Sequence, residues 1–299
     1  MASVDAISSE IAFSGSHISE FRRVLGVLYR RKAVLFAISI ILMCSLVALL
    51  APYLSPYDPY QQDLISVLLK PSAKHWLGTD VLGRDVLSRI IYGTQVSFLV
   101  GIVAVGIAAL IGMALGLVAG YYGGILNMII MRCIDGLMAI PTIVLALAIA
   151  VALGGGIWNV MTSLGISLVP TYCRLMCGQV LSVKEEDYVM VARIMGSSNL
   201  RIIFRHILPN CFPSIIVLVT LNLGIAILSE AALSFLGVGI SPPGAAWGSM
   251  VNDGYRYLSS HPLLSLAPGV CIMAVVLSFS VAGDGLRDAL DPRLRGMVE

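Results

Sequence analysis

The sequence predicts an all-α, polytopic membrane protein with six spanning helices. Three observations carry that expectation. First, 58% of its 299 residues are hydrophobic and 12% are charged, against about a quarter charged in a typical soluble domain. Mean hydropathy is correspondingly high, at +0.92. Second, six apolar runs lie near 33–51, 97–119, 134–153, 158–177, 212–236 and 263–282, each close to the ~20 residues needed to cross a hydrocarbon core. Third, with an inner N-terminus, 14 of the 19 Lys and Arg residues fall on the inner side and 5 on the outer. The positive-inside rule then places both termini in the cytosol. Helices are the economical solution because every backbone group inside lipid needs an internal partner.

The elements follow in order. Residues 1–32 form a cytosolic tail. In it Ile18, Phe21, Leu25 and Leu28 recur at helical spacing, with Arg22, Arg23 and Arg30 among them. That pattern predicts an amphipathic helix on the inner membrane surface. No cleavage site follows a short apolar core, so 33–51 is expected to be an uncleaved first span. Residues 52–96 form an outer loop. Near its end Asp80, Arg84, Asp85 and Arg89 cluster. They either shape an outer mouth or start a helix that is capped and paired, with Asp85 and Arg89 at i, i+4. Such pairs are common and weak, which favours the second reading.

The core, 97–282, holds the other five spans. Arg132 and Asp135 have i, i+3 spacing, suited to a pair that neutralises charge at the start of the third span. Pro141 is expected to kink that span and line a pathway. Gly154, Gly155 and Gly156 form a tight turn into the fourth span. Arg174, near the inner end of that span, is placed to snorkel. Glu230 is embedded in the fifth run, where an ionisable residue faces a bundle interior or a watery cavity; it either meets a positive amine in transit or pairs with a neighbouring helix, and the second is favoured. The outer loop 237–262 carries Pro242, Pro243 and Trp247, a stiff turn and an interfacial aromatic. They suit an outer gate, a receptor platform or a plain anchored loop. Residues 283–299 form a cytosolic tail.

The polar interruption at 182–210, SVKEEDYVMVARIMGSSNLRIIFRHILPN, stands apart. Ser182 and Glu185 have capping-box spacing. Tyr188, Val191, Ala192 and Met195 then fall at i, i+3, i+4, i+7, on one helical face. Gly196 ends the pattern as a C-cap glycine. Ser197, Ser198 and Asn199 are good N-cap residues for a second helix. Leu200, Ile203, Phe204 and Ile207 repeat the stripe, and Pro209 closes the segment. Periodicity alone leaves two readings open: a hairpin lying on lipid, or one gripped by a cytosolic protein.

Several functions are disfavoured. A net charge of +2 gives no footing for nucleic acid. Six scattered cysteines, with no C-x-x-C pair, read as small apolar filler, and no histidines pair at metal-ligand spacing. There is no G-x-x-x-x-G-K-[ST] loop, nor any Gly-Lys dipeptide. An autonomous secondary transporter or channel would show internal repeats and broken helices with charges at mid-depth. No convincing repeat is visible.

The segment 182–210 also resembles a signature, E-A-A-x-x-x-G followed nine residues later by I-x-L-P. Ala192, Gly196, Leu208 and Pro209 match it. Met190 stands for its Glu, Val191 for its first Ala and His206 for its Ile. The triplet Glu230-Ala231-Ala232 is not this motif, because no Gly follows at the required spacing. Residues 75–98, 232–250 and 283–292 resemble further blocks in matching order. Together these resemble the C-type permease subunit of a binding-protein-dependent ABC importer of the dipeptide, oligopeptide and nickel class. The resemblance implies a type I ABC importer permease fold in a bacterial inner membrane and no cofactor on this chain. It implies a second related permease, a periplasmic or lipid-anchored receptor, and two ATPase subunits that bind ATP and Mg. It implies that Tyr188, Val191, Ala192, Met195, Gly196, Ser197, Leu200, Leu208 and Pro209 couple to an ATPase. Glu230 and Pro141 become candidates for the path of a peptide. Asp80, Arg84, Asp85, Pro242 and Trp247 become candidates for the receptor side.

Overall fold

A computed structural model describes residues 31–240 and 243–290, together with Gly26, Leu28 and Tyr29. The expected N-terminal amphipathic helix, Pro242 and the end of the tail lie outside these residues. Helix α1 spans Lys32–Leu54 and α2 Val86–Tyr122. The short α3, Gly124–Met138, and α4, Thr142–Ala152, follow. Helix α5 spans Ile157–Val183. Two short helices, α6 at Asp187–Ile194 and α7 at Asn199–Ile202, lead through a π turn at Ile203–Ile207 into α8, Leu208–Phe235. Helix α9 covers Trp247–Tyr255 and α10 Leu263–Leu290. Among the described residues, five helices are long and apolar enough to cross a membrane, or six if α3 and α4 form one broken span.

The broken pair departs from the expected straight third span. Helices α3 and α4 meet at 89°. Pro141 is the N-cap of α4, in an extended conformation with ψ 132°. Its missing N–H and the bias it puts on Ile140 explain why the helix stops there. Asp135 does not pair with Arg132; it pairs with Arg174 of α5, which therefore has a partner on a neighbouring helix. A broken helix is one mark of an autonomous transporter, but residues 136–152 carry no ionisable side chain to accompany it.

Helix α2 begins eleven residues before the apolar run at 97, because Asp85 caps it and accepts a hydrogen bond from Ser88 N at 2.8 Å. Its 37 residues span about 55 Å at 1.5 Å per residue. It packs on α5 with almost no gap. A Cβ at Gly112 would come 2.5 Å from Tyr172 Cβ, one at Gly116 2.4 Å from the Cys173 carbonyl, and one at Gly120 2.8 Å from Val180 Cβ. These small residues let two backbones approach as membrane helices often do. Helix α8 lies against α2 and α10, with Gly224 beside Phe279. Helix α1 flanks α10, where Arg31 pairs with Asp288 at 2.5 Å. The three glycines at 154–156 all have positive φ, which is why a turn of this length closes there.

Candidate functional site

The segment 182–210 is built on the end of the α2–α5 pair. Ser182 does not cap a helix; α5 runs on to Val183, and Glu186 is the N-cap of α6 without a side-chain bond. Helix α6 ends in a Schellman motif. Ser197 N donates to Ala192 O at 3.1 Å, and Gly196 N to Arg193 O at 3.0 Å. Gly196 has φ +80°, and nothing lies within 4 Å of where a Cβ would sit. Its glycine is therefore required by conformation, not by close packing against the rest of the chain. Ser198 then caps α7 through Arg201 N.

The turn that follows explains why the second stripe divides. Leu208 N donates to Ile203 O, an i to i−5 bond. Pro209, with no N–H to donate, follows directly on the π turn at the start of α8. The helix thus continues through Pro209 instead of ending there. Ile202, Ile203 and Ile207 are buried, while Leu200 and Phe204 are exposed. The inner face joins Val189 to Tyr121, Met176, Val180, Cys211 and Ile215 in one apolar cluster. Ala192 is also buried. The outer face carries Tyr188, Met190, Val191, Ile194, Met195, Leu200 and Phe204, with Ile194 84% and Met195 79% exposed. Of the first stripe, Tyr188, Val191 and Met195 are thus on the open face and Ala192 is buried. Leu208 packs at the edge of the cluster. Lys184 Nζ donates to Gly120 O at 3.3 Å and Tyr121 OH to Asn199 Oδ1 at 2.8 Å, fastening the segment to α2.

At the opposite end of α2 the charges meet one another. Arg84 Nε bonds Asp80 Oδ2 at 2.6 Å, and Arg89 Nε lies 3.5 Å from the same oxygen. Asp85 pairs with His75 at 2.9 Å and caps α2; it does not pair with Arg89. Arg84 and Arg89 are each 2% exposed. Arg89 also donates to the carbonyls of Pro59, Pro243 and Gly244, at 3.4 Å each. Asp253 of α9 approaches Arg84 at 3.9 Å, and partial burial pushes its carboxyl above the usual range while Arg89 and Arg84 pull it back. Trp247 is buried against α2. These residues hold the loops 52–85 and 243–255 together, and Asp80, Arg84 and Asp85 offer little surface to a visitor.

Glu230 is fully buried within the chain and accepts from Ser234 Oγ at 2.7 Å. Ser234 in turn accepts from Ile240 N at 3.3 Å. No cation pairs with Glu230 among the described residues. In this conformation it lies off any open passage, whereas Pro141 is exposed. Sequence reasoning missed the cavity of about 350 Å³ between α5, α8 and α10, lined by Leu175, Ser214, Val217, Leu221 and Arg287. Nothing in local spacing announces it, because its walls come from three distant helices.

Comparison with known proteins agrees with this architecture. Residues 112–296 match the binding-protein-dependent transport system inner membrane component family, and residues 19–71 match the N-terminal TM domain of oligopeptide transport permease C. The dipeptide transport system permease protein DppC of Alkalihalophilus pseudofirmus is 43% identical over 278 residues, 93% of this chain and 91% of that one. The probable D,D-dipeptide transport system permease protein DdpC of Escherichia coli is 43% identical, covering 86% of each chain. The glutathione transport system permease protein GsiD of Pectobacterium atrosepticum is 43% identical over 85% of each. Among solved structures, the inward-facing MetNI methionine ABC transporter matches with a TM-score of 0.54 and 18% identity, over 68% of this chain and 96% of that one. The helices, the order of their packing and these relatives agree, and the chain belongs to the binding-protein-dependent transport system inner membrane component family as a multi-pass permease subunit of an ABC importer, a transport component and not an enzyme.

Proposed function

We propose that this chain is one of two related permeases in a bacterial inner-membrane importer, and that 182–210 is where a partner ATPase docks. The observation that carries this reading is the two-faced segment. One face is packed across the ends of α2 and α5, and the other holds seven large apolar side chains open to solvent. A contiguous exposed patch of this kind marks an interaction site. The segment packs against the ends of α2 and α5, which supports an open face at the end of the bundle. The chain has no P-loop of its own, so ATP and Mg belong on the two partner ATPases.

In this reading both termini and 182–210 face the cytosol, in accord with the distribution of Lys and Arg. The loops 52–85 and 237–262 face outward, where a periplasmic or lipid-anchored receptor delivers the cargo. Asp80, Arg84, Asp85 and Trp247 brace that platform from within. In this reading the exposed break at Pro141 borders the path, and Glu230 stays buried within the chain. The cargo is a short peptide, as the names of the dipeptide and glutathione relatives suggest. A short peptide is the expected ligand of the receptor that works with this permease; a metal chelate in its place would overturn that assignment.

Met195→Glu tests the docking. Burying a methionine is worth about 1.5–3 kcal/mol, so an exposed charge there is expected to lower ATPase co-purification by at least about ten-fold. Full retention of the ATPase and of coupled uptake sinks the reading.

A further inference from the structure

We infer that the hydrogen bond between Tyr121 and Asn199 is the joint through which movement of the 182–210 segment enters α2, which unlike α5 and α8 is not joined to the segment along the chain. This inference rests on the docking reading above. Tyr121 is the penultimate residue of α2, is 8% exposed, and donates to Asn199 Oδ1 at 2.8 Å. Asn199 is the first residue of α7, and Ser198 caps the helix immediately before it. The acceptor is thus fixed to the backbone of the element that would be pushed. A second bond, from Lys184 Nζ to the Gly120 carbonyl, ties the start of the segment to the same turn of α2.

The rest of the contact between segment and helices is apolar: Val189, Ile202, Ile203 and Ile207 against Tyr121, Met176 and Val180. Apolar contact is non-directional and holds surfaces together without fixing their sliding register. A hydrogen bond has a preferred length and angle, and so resists shear. Helix α2 is suited to receive that shear. Gly112, Gly116 and Gly120 seat its backbone against α5, so the two move together. Arg89 fastens its far end to the carbonyls of Pro59, Pro243 and Gly244. A push at Asn199 is therefore delivered about 45–50 Å away, next to the loops at the opposite end.

Tyr121 and Asn199 act as positioning residues; Tyr121 is buried and lies off the exposed docking face, whereas Asn199 is exposed beside Leu200, so Tyr121→Phe is the deciding variant. The test uses the assembled complex of both permeases and both ATPases in liposomes. Ser214→Cys places a thiol in the cavity between α5, α8 and α10, and Cys133, exposed in this chain, is replaced by Ser. The probe is an impermeant maleimide, applied with and without MgATP and vanadate. In the parent, nucleotide trapping is expected to slow labelling as the helices rearrange. With Tyr121→Phe the ring and its apolar contacts stay. ATPase co-purification and hydrolysis are expected to remain within about two-fold, while the protection of the thiol falls about five-fold, the size of one lost hydrogen bond. Asn199→Ala is expected to lower the protection by the same factor, and the double variant to lower it no further. Unchanged protection in Tyr121→Phe, or additive losses in the double variant, overturns the joint. The docking reading fails differently, by Met195→Glu leaving the ATPase bound.

Discussion

Trp247 donates its indole N–H to the carbonyl of Ile90 at 3.0 Å, and its ring fills the space beside Gly93, where a Cβ would come within 2.6 Å. The short helix α9 is thereby seated on α2 by one hydrogen bond and one missing side chain. Trp247→Phe keeps most of the ring but leaves the Nε1–H bond unmade, at a cost of about 1–2 kcal/mol. Gly93→Val forces the indole out and is expected to cost about 1–3 kcal/mol by overpacking. Thermal unfolding of the detergent-solubilised protein should show both losses, Gly93→Val at least as large. Equal stability of Gly93→Val and the parent would contradict this seating.

Helix α2 contains an internal control. At Gly116 a Cβ would stand 2.4 Å from a backbone carbonyl of α5, whereas at Gly106 nothing lies within 4 Å. Gly116→Ala must separate two helices and is expected to lower the yield of monodisperse protein sharply. Gly106→Ala replaces a poor helix former with a good one and is expected to be neutral or stabilising by up to about 1 kcal/mol. Size-exclusion profiles of the two variants, expressed side by side, decide the matter.

Gly196 makes a different demand. The space around it is open, but its φ of +80° is costly for any residue with a Cβ. The expected order of stability is Gly, then Asn, then Ala, then Val, since Asn tolerates the left-handed region best and branched residues least. The readout is limited trypsin cleavage at Arg193 and Arg201, which flank the turn. Faster cleavage in the order Asn, Ala, Val is expected; equal rates for all four would remove the conformational argument.

Asp253 provides a pH dependence with a definite sign. Partial burial raises its carboxyl pKa above the ordinary Asp value of 3.8, against the pull of Arg89 and Arg84. A raised folded pKa contributes stability that is whole below the unfolded value and lost as pH rises through the folded one. Asp253→Asn is therefore expected to unfold at a higher temperature than the parent at pH 7, with the gap closing as pH falls towards 4. A gap that widens on acidification would show that the arginines, not burial, dominate.

Much of this was legible in the chain. Long apolar runs identify spans because lipid leaves few alternatives, and the cap at Ser198 and the glycine at 196 follow from local backbone rules. A capped helix start near Asp85 was readable from the charges at 80–89, but the outer loop was carried on to residue 96 because Ser88, Arg89, Thr94 and Gln95 lower the hydropathy, although the first three are buried in protein. The partners of Asp135 and Asp85 were also hidden. Spacing along one helix suggests i, i+3 or i, i+4 pairs, but the nearer cation for Asp135 sits on another helix. The segment 182–210 was readable as two short helices, yet which face packs was not. The π turn adds a residue between Ile203 and Ile207 and rotates the second stripe, something an ideal 3.6-residue period does not anticipate.

The break between α3 and α4 has a consequence for wetting. The eleven residues of α4 reach only about 16 Å, roughly half of a hydrocarbon core. Ile140, Pro141 and Thr142 at the break are on the surface of this chain. Acyl chains offer no hydrogen bonds to the backbone groups that a sharp bend frees, so irregular backbone at that depth is stable only against protein or water. One strip of this otherwise greasy surface therefore has to be kept dry of lipid.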